Sequence, residues 1–205
     1  ANTVGAQLAH AQPGRGGFNA GQMLAGGLKA VLLLNNEPEF DSVAGASHSL
    51  GRAEMVVTMS PFKSNMAFSD VLLPIAPFSE TSGSFVNAEG RVQGFHAVVK
   101  PLGDTRPAWK VLRVLANVLG LPGFDFESSQ DVSATLHADL SEGRTHVRAD
   151  KLSNKTEAGI DMTARSSAAP VVASLYQLDG IVRRASALQM TADARQAHAA
   201  QEVAA

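Results

Sequence analysis

Three short, continuous apolar runs do most to limit the fold of this chain. They are "LKAVLLL" (Leu28–Leu34), "EMVVTMS" (Glu54–Ser60) and "DVLLPIA" (Asp70–Ala76). Runs of this length without polar alternation suit strands covered on both faces, and such strands belong to parallel sheets with crossover connections. The first run exits through "NNEPEFDS", after which Asp41 or Ser42 can cap a helix reaching about Leu50. "PFKSNMAFS" joins the second run to the third, with Pro61 at a position that a short helix tolerates. The expectation is an α/β fold with a small, mainly parallel sheet and flanking helices. Pro74 predicts that the third strand ends there or lies at an edge.

On either side the signals are different. Asn19 is placed to cap a short helix ending at Gly26-Gly27. After the third strand, "SFVNA" and "RVQGFHAVV" flank Glu89-Gly90, which reads as a β-hairpin. "DTRPAWKVLRVLANVLG" is the best helix: Thr105 can cap it, Pro107 sits in its first turn, and Gly120 and Pro122 stop it. Ala108, Leu112, Leu115 and Leu119 share one face, which Val111 and Val118 widen. Beyond Phe126, "SSQDVSATLHADL" reads as one more helix. Residues 143–170 are polar, mixed in charge and poor in large apolar side chains, so they are expected to form an exposed, weakly protected connector. An irregular C-terminal arm follows. The division is therefore an α/β segment over 1–126, then a helix, connector and arm over 127–205.

Composition removes several functions. The chain of 205 residues has no Cys, which excludes disulfides, thiolate nucleophiles and Cys-ligated iron–sulfur clusters. A net charge of −2 gives no basic field for nucleic acid. No apolar run is long enough to cross a bilayer, so direct membrane insertion is not expected. The opening "ANTVGAQLAH" begins as if in mid-protein, and a piece of a longer chain is expected.

The remaining motifs have simpler readings. Gly14, Gly16, Gly17 and Gly21 match neither G-x-G-x-x-G nor a G-K-[ST] ending, and the strand follows them; a backbone turn explains them better. His10, His48, His96, His137, His146 and His198 are scattered. Glu142 and His146 stand four apart, but Gly143 between them weakens a helical metal site. No G-x-S-x-G elbow occurs. Trp109 reads as core, and Arg183-Arg184 as a solvated basic pair rather than a contact for an anion or partner. No catalytic, cofactor-binding or metal-binding residue is assigned. Glu80, Gly83, Asn87, Glu89, Gly90 and Arg91 are assigned to locking the hairpin, with a buried ion pair among Glu80, Glu89 and Arg91 favoured over a polar ligand site.

At these residues the chain resembles a known family. "FSDVLLPIAPFSETSGSFVNAEGRVQ" is similar to the molybdopterin oxidoreductase segment in which "ADVVLP" precedes "E-x-x-G-T-F-x-N-x-E-x-R-x-Q". More closely, it resembles the large iron–sulfur subunit of the peripheral arm of bacterial NADH:quinone oxidoreductase, respiratory complex I. "GGFNAGQML", "LKAVLLLNNEPEFDS", "TRPAWKVLRVLANVLGL" and "DGIVRRASALQMTADA" carry that closer likeness.

The resemblance implies the C-terminal part of that subunit, whose iron–sulfur ligands lie in an N-terminal region not included here. It implies a non-catalytic scaffold that supports electron transfer from NADH to quinone. The implied partners are the rest of its own subunit and other peripheral-arm subunits. The implied location is cytoplasmic, peripheral to the inner membrane. No cofactor is expected in this segment. Where pterin binders have Gly in the exit loop, this chain has Asn35, whose side chain hinders close approach to a phosphate. Two alternatives stand: the C-terminal segment of a molybdopterin-dependent oxidoreductase such as a formate dehydrogenase, and a free-standing protein-interaction domain.

Overall fold

A computed structural model describes residues 2–43, 45–139 and 174–196. The expected connector at 143–170, and with it Glu142, His146 and His198, lies outside the described residues. The chain divides into two compact units. One comprises residues 1–36 and 47–154; the other comprises residues 37–46 and 155–205.

In the first unit the three apolar runs form a parallel sheet, order β1-β2-β3, from β1 (Ala30–Leu34), β2 (Met55–Ser60) and β3 (Val71–Pro74). The register pairs Ala30 with Met55 and Val57 with Val71. Pro74 is the last residue of an edge strand, as its missing N–H requires. Val31, Leu50 and Val56 are the buried centre, with Leu24, Leu28, Leu33, Ala53 and Phe68 packed against them.

Burial corrects one expectation. β1 is not covered on both faces: Val31 is buried, but Leu32 and Leu34 on the opposite face are exposed. After α1 (Thr3–Leu8), the helices that pack here, α2 (Ala20–Leu24) and α4 (Ala46–Leu50), contribute Leu24 and Leu50 to the same cluster as Val31. Only β2 is buried nearly throughout.

The helix starts follow local chemistry. Asn19 caps α2 in a reciprocal box: its Oδ1 accepts from Gln22 N at 3.0 Å, and Gln22 Oε1 accepts from Asn19 N at 2.9 Å. The expected helix from Asp41 to Leu50 is instead two pieces, α3 (Pro38–Asp41) and α4. Asp41 does not cap the second piece. Its carboxylate accepts from the Glu37 N–H at 2.8 Å, closing the first turn of α3. The segment after β2 holds a single 3-10 turn, Ser64–Ala67.

The hairpin is β4 (Gly83–Val86) with β5 (Val92–Phe95), antiparallel, Val86 opposite Val92. Helix α5 (Ala108–Val118) starts one residue after Pro107. Thr105 does not cap it; its hydroxyl donates to Leu102 O at 2.7 Å. Of the apolar stripe on α5, Leu112 and Leu115 are half-buried while Val118 and Leu119 are exposed. Helix α6 (Ser129–Asp139) follows. Asp131 caps its start, accepting from Ser128 N at 2.8 Å and Glu127 N at 3.0 Å. The Ser128 N–H and hydroxyl, then the Glu127 N–H, hold the Asp131 carboxyl below the usual carboxylate range.

In the second unit, α3 is described together with the arm at 174–196. The arm contains a 3-10 turn, Val182–Arg184, and α7 (Ser186–Gln189). Pro38 and Ala194 are buried there.

Candidate functional site

Open parallel sheets present their ligands at the carboxyl ends of the strands. Here β1 ends at Leu34 and passes into Asn35, whose backbone is left-handed at φ 48. Asn is among the few side-chain-bearing residues that visit this region readily. Asn35 therefore keeps a conformation that glycine adopts freely, while adding a Cβ. Its N–H donates to Met59 O at 2.8 Å, continuing the ladder past the strand.

The next peptide is held by Asn65. This side chain is buried, and its Nδ2 donates to Asn36 O at 2.9 Å and lies 3.4 Å from Thr58 Oγ1. Thr58 Oγ1 shares a hydrogen bond with Ser69 Oγ at 2.7 Å. Ser60 Oγ accepts from Phe62 N at 3.0 Å, and Asp70 Oδ2 from Val56 N at 2.7 Å. Ser60 and Asn65, at and beyond the carboxyl end of β2, are thus spent on backbone, whereas Ser69 and Asp70 stand at the amino end of β3 and bond Thr58 and Val56. Among the described residues no buried side-chain nitrogen or oxygen lacks a partner, and no group of three or more His, Asp or Glu could hold a metal ion.

The hairpin residues fall into separate roles. Asn87 organises the turn: its Oδ1 accepts from Glu89 N at 3.1 Å and Arg91 N at 2.9 Å. Gly90 supplies the left-handed step at φ 81. Gly83 leaves room for the Phe95 ring, which stacks on Phe85 with centroids 5.0 Å apart; a Cβ at 83 would meet Phe95 Cζ at 2.7 Å. Glu80 lies outside the turn and accepts from Leu102 N at 2.9 Å. The expected ion pair among Glu80, Glu89 and Arg91 does not form. Glu89 and Arg91 are exposed, and charged groups at the surface gain little from pairing. Outside the expected set, Asn2 reaches β4 and accepts from Val86 N at 2.8 Å.

The turn therefore depends on one neutral side chain. Arg91→Ala is expected to change stability by less than about 0.5 kcal/mol. Asn87→Ala, which removes two hydrogen bonds, is expected to cost about 1–2 kcal/mol. Urea titrations of both variants check this; a larger loss for Arg91→Ala would return the lock to the charges.

Arg183 and Arg184 also depart from expectation. They are not a solvated pair: both reach Glu37, and the Arg183 side chain is buried. The opposing carboxylate stands in the β1 exit loop, far away in sequence, and no spacing rule points to it.

The profile of the family described as molybdopterin oxidoreductase matches residues 1–118. The chain belongs to the molybdopterin oxidoreductase family. Its parallel sheet, hairpin and α5 all fall within the matched region. The chain is 34% identical over 111 residues to a protein named as an oxidoreductase, YjgC, in Bacillus subtilis (strain 168), covering 53% of this chain and 11% of that protein. It is 45% identical over 53 residues to a protein named as a formate dehydrogenase in Staphylococcus aureus (strain bovine RF122 / ET3-1), covering 26% of this chain and 5% of that protein. The chain thus spans a small fraction of these relatives. Among the described residues no helix is long and apolar enough to cross a membrane.

Proposed function

We propose that this molybdopterin oxidoreductase segment is a non-catalytic scaffold in the large peripheral-arm subunit of a proton-translocating NADH:quinone oxidoreductase. The observation that carries the reading is the closure of the strand ends. Among the described residues, Ser60 and Asn65 beyond the strand ends are committed to the Phe62 N–H and the Asn36 carbonyl, and no buried side-chain nitrogen or oxygen is left without a partner. On this reading the segment holds no pterin nucleotide of its own, and no chemical step is assigned to it. Lacking Cys, the chain also ligates no iron–sulfur cluster through sulfur. Its role is mechanical: the sheet and hairpin hold shape for the rest of the subunit and for neighbouring peripheral-arm subunits. The complex would sit on the cytoplasmic side of the inner membrane and pass electrons from NADH to quinone.

A second reading, a segment of a molybdopterin-dependent oxidoreductase such as a formate dehydrogenase, draws support from the names of the relatives. The two separate on the parent protein. The scaffold reading expects NADH:quinone activity with no molybdenum copurifying. Stoichiometric molybdenum with formate oxidation would replace it by the second. For the 205-residue chain alone, the expected result is no stoichiometric iron by elemental analysis and no micromolar NADH binding by calorimetry. Either signal would sink the assignment of this segment as cofactor-free.

A further inference from the structure

Glu37 is the meeting point of two consecutive arginines that stand 146 and 147 residues away in sequence. Its side chain is 4% exposed, and that of Arg183 is 6% exposed. Arg183 donates to Glu37 Oε2 from Nη2 at 2.5 Å and from Nε at 3.1 Å. Arg184 donates to the same oxygen from Nη1 at 2.9 Å and to Oε1 from Nη2. Asp41 balances the second positive charge, its Oδ1 lying 3.2 Å from Arg183 Nη2. The Arg183 guanidinium also lies over the Phe40 ring, 4.6 Å from the centroid.

The arginines are in turn tied to their own arm. Arg183 Nη1 donates to Gln177 O at 2.6 Å, and Arg184 Nη1 to Gly180 O at 2.9 Å. A planar fork offers enough donors to hold a carboxylate and a local carbonyl together; an ammonium group offers no such geometry. Buried charges joined in this way depend on one another. Removing one leaves the others uncompensated, so the contact is made whole or lost whole.

We propose that this knot is a strap. It fastens the 174–196 arm to the turn at 37–41, and it opens as a local unit while the β1–β3 sheet stays folded. The proposal is independent of the proposed function and concerns a conformational device in this chain alone. Glu37 stands three residues beyond the last residue of β1.

The test is hydrogen exchange on the 205-residue chain carrying Glu37→Gln, which keeps the shape and removes the charge. The reporters are the amides of Arg183 and Leu188, which donate to Asp179 O and Ala185 O. Their exchange is expected to accelerate by about a hundredfold or more, with the Val56 amide unchanged. Arg184→Lys, which keeps the charge but loses the fork, is expected to give about a tenfold acceleration. Unchanged exchange in the arm of either variant overturns the strap. So does equal acceleration at Val56, or a Glu37→Gln chain that fails to fold, because the knot would then belong to the global core.

Discussion

Asn65→Asp is expected to cost about 3 kcal/mol or more at neutral pH, although it exchanges one NH₂ for an oxygen. Asn65 is buried and uses its Nδ2 as a donor towards Asn36 O and Thr58 Oγ1. An ionised carboxylate has no hydrogen to give. It would set a negative oxygen against the Asn36 carbonyl and bury a charge. Acid should relieve part of the loss, because the protonated acid is neutral and regains one donor. Asn65→Ala, which only leaves the carbonyl unpaired, should cost about 1–3 kcal/mol. Denaturant unfolding of the two variants at neutral and acidic pH checks the ranking. If Asn65→Asp is no worse than Asn65→Ala at neutral pH, the donor role of Asn65 at the strand ends is refuted.

Met59→Ala should rival it. Met59 is fully buried on the central strand. Truncating such a side chain costs about 2–5 kcal/mol, the transfer term plus the cavity left behind. Its backbone carbonyl also accepts from Asn35 N, so collapse around the cavity would pull on the β1 exit loop. A thermal or urea midpoint within error of the parent would show that the sheet is not packed as described. Met59→Leu, close in volume, serves as the control and should cost under about 1.5 kcal/mol.

The strands were legible in the sequence because a continuous apolar run bounded by turn residues has few other uses at that length. Their one-sidedness was not. "AVLLL" reads the same whether Leu32 and Leu34 are covered or bare, since residue type carries no record of what packs against it. Asn19 was legible because its cap is local, three residues from Gln22. Thr105 was a false signal of the same kind: its hydroxyl turned back to Leu102 rather than forward. In the hairpin, the charges at Glu80, Glu89 and Arg91 are the conspicuous residues, but a neutral amide at Asn87 reaches its own backbone without desolvating a charge. The Glu37 contact with Arg183 and Arg184 had no local signature at all. It joins positions far apart in sequence, and only the folded chain brings them together.

The two borders of the three-stranded sheet are unequal. Outside β3, Arg106 has already taken the Pro74 carbonyl and the Ala76 N–H, and proline offers no donor. Outside β1, no strand is paired among the described residues, and Leu32 and Leu34 are bare. Such a sheet has a direction of growth. Among the described residues a further strand would find the β1 side open, whereas the β3 side is blunted at its carboxyl end. Two copies meeting border to border would use up both free edges at once. Self-association by this route would close at pairs for as long as the carboxyl end of β3 stays occupied by Arg106.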